Sequence, residues 1–253
     1  MTQAKLETRD TPVAVITGGA RRIGRQIAIE LHEAGLDIAL HYRSSSADAE
    51  DLAAKLLEDR PGSCVLFQAD LNSLSEVQAL GADLLARYPA IAILVNNASG
   101  FSPTPIDTAT PAQFDAMVSS NLRGAYFLIQ QLLPALKSGE GSIVNVLDMH
   151  LTRPLNGYSA YLAAKAGLAS LTRSLAVELG PEIRVNGVAP GAILWPEDEI
   201  AYDEQARATT IARTPLKRLG TPADIASTVK FLAQEAPFIT GQVITVDGGQ
   251  SLT

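Results

Sequence analysis

Seven short runs rich in Val, Ile and Leu alternate with long amphipathic ones along this 253-residue chain. The apolar runs span 12–18, 37–42, 63–70, 91–98, 141–148, 183–191 and 242–249. Most are nearly continuous in apolar residues, as strands are when helices bury them on both faces. Helical patterns fill 21–35, 46–60, 74–89, 111–136, 158–180 and 222–235, and Gly35 and Gly180 read as helix-ending glycines. Strict β–α alternation implies right-handed crossovers and an α/β fold, a doubly wound parallel sheet with helices on both faces. No linker, repeat or low-complexity tract interrupts it, so residues 1–253 read as one domain. The least regular stretch is 192–215, either a substrate lid or a pair of surface helices.

The formal net charge of −7, with scattered arginines, excludes the basic field that nucleic acid requires. No apolar segment approaches the ~20 residues of a membrane span. The polar start lacks a hydrophobic signal region, so a soluble cytoplasmic protein is the expectation. Cys64, the one cysteine, sits in SCVLFQAD and reads as a small buried hydrophobe. His32, His41 and His150 show no metal-ligand spacing. His32 reads as structural, and His150 lies two residues after Asp148.

Thr17-Gly18-x-x-x-Arg22-Ile23-Gly24 falls where a strand meets a helix. Gly18 and Gly24 permit close backbone approach, and the helix N-terminus offers N–H groups to a pyrophosphate. Arg21 and Arg22 are unusual there, because a cation opposes the helix dipole. A bound dinucleotide would supply the missing negative charge, with Arg21 near the adenosine phosphate or solvent. The second strand ends in His41-Tyr42-Arg43-Ser44-Ser45, where an NAD-preferring fold usually has an acid. Arginine and hydroxyls suit a 2′-phosphate instead, so NADPH/NADP+ is the expected cofactor. Asp70, before Leu71, accepts from an adenine amino group or caps the next helix.

Asn96-Asn97-Ala98-Ser99 closes the fourth strand and Asp148 the fifth. Tyr161 and Lys165 are four apart on a helical pattern and share a face. An ammonium near a phenol lowers its pKa from ~10, which makes them an acid and its electrostatic helper. Asp148 either takes part in proton transfer or caps the following loop.

Together the glycine loop, NNAS, Asn121, Tyr161-x-x-x-Lys165, Pro190-Gly191 and the closing VDGG resemble the short-chain dehydrogenase/reductase family over roughly residues 12–253. The resemblance implies a Rossmann-type sheet of about seven strands, hydride transfer, and commonly a homotetramer. It makes Tyr161 the proton donor and has Lys165 bind the cofactor ribose and lower the Tyr161 pKa. Asn121 would hold a relay water. Gly18, Arg21, Arg22, Ile23, Gly24, Tyr42, Arg43, Ser44, Asp70, Leu71, Asn97, Ala98, Ser99, Pro190 and Gly191 would line the cofactor.

Two positions depart from the common pattern. Arg22 stands where most of the family has glycine, and Asp148 where most has a serine that donates to a substrate carbonyl. An ionised carboxylate has no proton to donate and repels carbonyl lone pairs, so a C=N substrate fits better than a ketone. Both departures, with the HY–RS run, NNAS, Phe101 and Pro103-Thr104-Pro105, resemble the pteridine reductase branch. That branch has one more residue between the positions of Tyr42 and Arg43. The resemblance implies a pterin or folate substrate stacked between the nicotinamide and Phe101, with Ser99 and Arg22 on polar groups of ligand or cofactor. Trp195 either lines the substrate mouth or packs the lid. Two other readings are a carbonyl reductase such as a 3-oxoacyl reductase, which Asp148 and Phe101 disfavour, and a non-catalytic NADP sensor, which has no need of Tyr161.

Overall fold

The computed structural model describes residues 11–195 and 203–253. Seven strands join one parallel sheet in the order β3-β2-β1-β4-β5-β6-β7. They are β1 Val13–Ile16, β2 Asp37–Tyr42, β3 Cys64–Gln68, β4 Ile93–Asn96, β5 Ser142–Val146, β6 Arg184–Pro190 and β7 Val243–Val246. Every expected apolar run contains one of them. Their side chains alternate between two cores, as the pleat requires. Ala14, Ile16, Ile38 and Leu40 face Ile27 and Leu31 on one side, while Val13, Val15 and Ala39 face Leu84, Leu128 and Leu132 on the other.

The helices are α1 Arg22–Glu33, α2 Ser46–Asp59, α3 Leu74–Arg87, α4 Pro111–Val118, α5 Gly124–Ser138, α6 Ser159–Glu178, α7 Glu204–Arg213 and α8 Pro222–Lys230. α1 packs on α8 and α3 on α5. Gly35 takes φ 96° after α1, and its N–H donates to the His32 carbonyl, the expected left-handed stop. Gly180 follows α6 without a positive φ, so that helix ends by other means. The long pattern over 111–136 is two helices joined by a π turn, Ser119–Arg123. Within 192–215 the structure forms α7, capped by the Asp203 carboxylate on the Ala206 N–H at 2.7 Å. The Pro196–Glu199 part of that acidic stretch lies outside the described residues. None of the described helices is long and apolar enough to cross a membrane.

Cys64 is buried, and burial pushes its thiol up to about 12, so it is inert at neutral pH. His32 is likewise buried and shares a 2.7 Å hydrogen bond with the Ser63 hydroxyl. The order of the strands reverses between β1 and β4, and in such sheets ligands lie beyond the carboxyl ends of strands at that point.

Candidate active site

A cleft of about 1000 Å³ opens along this edge, and the loops that follow β1 to β6 all enter it. Of the residues expected at the site, all but Asn121 line it: Gly18, Arg21, Arg22, Ile23, Gly24, Tyr42, Arg43, Ser44, Asp70, Leu71, Asn97, Ala98, Ser99, Phe101, Asp148, Tyr161, Lys165, Pro190, Gly191 and Trp195. Residues from six strand ends thus converge on one space.

The glycine loop is fastened on two sides. Thr17 Oγ1 accepts from the N–H groups of Asn97 and Ala98, each at 3.0 Å. The Asn97 amide donates back to the Thr17 and Gly18 carbonyls at 3.0 and 2.9 Å. On the other side, His41 Nδ1 accepts from the Gly18 N–H at 3.1 Å, and its Nε2 meets the Ala69 carbonyl at 3.0 Å. The Gly18 donor and Ala69 acceptor fix the neutral tautomer with the proton on Nε2. Burial lowers the His41 pKa, against the Ala69 bond and the Asp70 charge. Sequence reasoning missed this anchor; its one signal was a histidine inside an otherwise apolar strand. Gly18 has φ 62°, and a Cβ on Gly24 would come within 2.2 Å of the Gly18 oxygen. These two glycines are therefore fixed by geometry and packing.

Arg22 adopts φ 53°, the left-handed region that glycine enters without steric cost. That explains the glycine usual at this position. Its guanidinium reaches the carbonyl oxygens of Leu194 and Trp195 at 3.2–3.3 Å, tying the loop to the segment leaving β6. The Trp195 ring carries the Arg207 guanidinium 5.6 Å from its centroid, so this residue both lines the mouth and packs against α7. Arg21 pairs with Asp48 at 3.7 Å on the surface. Arg43 is exposed and its guanidinium meets no partner among the described residues. Asp70 is not the helix cap. Its Oδ1 accepts from the Asn72 backbone and amide at 2.9 and 2.8 Å, while Ser73 caps α3. Gly191 packs against Asp247, where a Cβ would sit 2.5 Å from the Asp247 Cβ.

At the chemical end, Asp148 both caps the following turn and touches Tyr161. Its Oδ1 caps the following turn, accepting from the His150 N–H at 2.8 Å, and its Oδ2 accepts from the Tyr161 hydroxyl at 2.7 Å. Lys165 is buried one helical turn along α6. Its ammonium donates to the Val146 carbonyl at 2.8 Å and lies 5.8 Å from the Tyr161 ring centroid. Burial pushes Lys165 down to about 8, with the Asp148 charge opposing. The expectation that Lys165 lowers the Tyr161 pKa is corrected here. Burial raises it first, then the charge and hydrogen bond of Asp148, against a weaker lowering by Ser99. The phenol is held protonated, so it is an acid able to give a proton.

Asn121 sits behind the cleft wall, in the π turn. Its amide donates to the Gly100 and Met117 carbonyls at 2.9 and 3.0 Å, and its Oδ1 accepts from the Ser99 hydroxyl at 2.7 Å. Its side chain therefore braces the Ser99-Gly100 turn beneath Phe101. Phe101 remains 47% exposed. It stacks on Tyr158 at 4.4 Å and 12°, and meets Tyr161 edge-on at 5.0 Å and 85°. Tyr158 was not foreseen, although its position three residues before Tyr161 on one helical pattern carried the signal.

Comparison with known proteins agrees with this geometry. The family model described as Enoyl-(Acyl carrier protein) reductase matches residues 18–251. The chain is 37% identical to pteridine reductase 1 of Leishmania tarentolae, over 96% of this chain and 97% of that protein. It is also 37% identical to an uncharacterized oxidoreductase of Mycobacterium tuberculosis, over 95% and 92% of the two chains. A 3-oxoacyl-acyl-carrier-protein reductase of Staphylococcus aureus is 34% identical, over 94% and 98%. With its parallel seven-stranded sheet, its strand-end cleft and these relatives, the chain is an oxidoreductase that belongs to the short-chain dehydrogenase/reductase family.

Proposed function

We propose that this protein reduces the C=N bond of a dihydropterin or dihydrofolate, with NADPH as hydride donor, in a single NADP(H)-binding domain. The observation that carries this reading is the Asp148 carboxylate hydrogen-bonded to Tyr161 at 2.7 Å, where a ketone reductase needs a donor. The relative from Leishmania tarentolae, a pteridine reductase by name, supports it.

The residues present fit the dinucleotide. Gly18 and Gly24 leave the loop backbone bare, and Arg43 with Ser44 offers a cation that has no partner among the described residues and a hydroxyl for a 2′-phosphate. When bound, NADPH supplies the hydride. Tyr161 gives its phenolic proton to the ring nitrogen of the C=N bond, which completes the two-electron reduction to CH–NH. The buried Lys165 ammonium, charged below about pH 8, stabilises the phenolate left behind. Asp148 returns a proton from solvent to that phenolate. Phe101, buttressed by Tyr158, offers a flat face to a heterocycle. Asn121 acts by positioning Ser99 and Gly100.

The same reading includes a cytoplasmic homotetramer. Exposed Val177, Phe238, Ile244 on the edge strand β7, and Leu252 supply apolar surface for assembly. The test is NADPH and NADH oxidation measured in parallel with dihydrobiopterin, dihydromonapterin, dihydrofolate and an acetoacetyl thioester. Turnover of pterins with NADPH preferred is expected. Turnover of the thioester alone contradicts the proposal.

A further inference from the structure

Beyond Asp148 and Tyr161 the cleft wall holds two arginines that no step above uses, Arg153 and Arg213. The chain has 20 lysines and arginines against 27 acids, so acids outnumber cations. Arg25, Arg60 and Arg218 pair with Asp51, Asp37 and Asp224. Arg153 and Arg213 meet no carboxylate among the described residues. Arg153 makes one side-chain hydrogen bond, to the Gln250 carbonyl at 3.0 Å. The Arg213 guanidinium makes none among the described residues.

The two come from distant parts of the chain to the same turn, Gln250–Leu252. Arg153 donates to Gln250 from the loop after β5. The Thr253 hydroxyl donates to the Arg213 carbonyl at 2.9 Å and lies 3.3 Å from the Gln250 oxygen. A cation at Arg213 suits the last turn of α7, where the helix dipole favours it. No such reason exists for Arg153. Its loop is instead tied to the reaction centre: His150 donates its N–H to Asp148 and shares a 2.7 Å bond between its Nδ1 and the Arg153 carbonyl. The cofactor's phosphates have their own cations at the ends of β1 and β2, in Arg21, Arg22 and Arg43. The carboxylates lining the cleft are Asp70, bonded to Asn72 near the β3 end, and Asp148, bonded to Tyr161 and His150. Both arginines therefore line the cleft without a counter-charge from the described residues.

We infer that Arg153 and Arg213 form a subsite for an anionic tail on the substrate, a carboxylate or a phosphate ester, carried beyond the ring that Phe101 and Tyr161 receive. The inference rests on the pterin reading above and deepens it. Guanidinium forks pair with both anions through parallel N–H···O bonds, which gives selectivity over a neutral polyol tail.

The test compares three dihydropterins at saturating NADPH: dihydrobiopterin with a neutral tail, dihydrofolate with two carboxylates, and dihydroneopterin 3′-phosphate. Wild-type kcat/KM should favour at least one anionic substrate over the neutral one by tenfold or more, and the better of the two identifies the tail. In the double variant Arg153→Gln/Arg213→Gln that ratio should fall at least tenfold, through KM and not kcat. Raising salt from 50 to 500 mM should erode the preference in the wild type and not in the variant. The conservative Arg153→Lys/Arg213→Lys protein should keep part of the ratio, which separates charge from folding. Turnover of all three without a tail preference, or a ratio unchanged in the double variant, overturns the subsite alone. Absence of turnover with any of the three overturns the pterin reading and the subsite with it.

Discussion

Replacing Lys165 with methionine should change how stability depends on pH. Lys165 is buried, with its ammonium on the Val146 carbonyl, and it loses its proton near pH 8 in the folded protein against 10.5 unfolded. Between those values the unfolded chain binds more protons, so raising the pH favours the folded state. This contribution is complete above pH 10.5 and is lost as pH falls through 8. The gap of about 2.5 units, at 1.36 kcal/mol each, makes it about 3 kcal/mol. Methionine fills nearly the same volume and binds no proton, so the variant lacks this slope. Urea denaturation of both proteins without cofactor, from pH 7 to 10, reads the difference. With a slope of roughly 3 kcal/mol per molar urea, the wild-type midpoint should gain about 0.8 M on the variant over that range. A difference between the two midpoints that stays flat from pH 7 to 10 refutes the depressed pKa and the buried ammonium with it.

Three other substitutions probe the cofactor end. Arg43→Ala should lower the ratio of kcat/KM for NADPH over NADH by about 10–100-fold, the worth of one or two charge-assisted hydrogen bonds; an unchanged ratio places the 2′-phosphate elsewhere. His41→Phe leaves the Gly18 N–H and Ala69 carbonyl without their partner, and should cost about 2–4 kcal/mol in denaturant unfolding and weaken NADPH binding in titration calorimetry. A neutral effect on both removes His41 as the anchor of the loop. Arg22→Gly relieves the left-handed φ, worth about 1 kcal/mol, but cuts the link to Leu194 and Trp195. Its thermal midpoint should hold while KM for the reduced substrate rises several-fold; an unchanged KM separates the loop from the substrate mouth.

The periodicity of the chain carried the sheet almost completely, because strands buried on both faces must be apolar along their length and each expected run holds one. Boundaries shrank by one to three residues at most ends, where polar loop residues begin. The cleft was equally legible, since a doubly wound sheet brings strand ends together and every expected site residue but Asn121 sits there. Charge states were not. Tyr161 and Lys165 share a helix face, which suggested a lowered phenol pKa, but the sign is set by burial and by Asp148, thirteen residues away in sequence. Spacing holds no information on desolvation. The setting of Asn121 was hidden for a related reason: it lies in a π turn with its Oδ1 on the Ser99 hydroxyl, and no pattern in 111–136 announced that turn. The partners Tyr158 and His41 needed three-dimensional contacts, to Phe101 and to Gly18, across 57 and 23 residues of chain.

The most direct test is Asp148→Ser, assayed with NADPH on dihydrobiopterin, dihydrofolate and an acetoacetyl thioester. Proton delivery by a positioned group accounts for roughly 10²–10⁴-fold in rate. The serine protein should lose at least a hundredfold in kcat on the pterins, with the Tyr161 pKa falling once the adjacent charge is gone, and should gain on the thioester. Pterin reduction at the full wild-type rate contradicts the role given to the carboxylate.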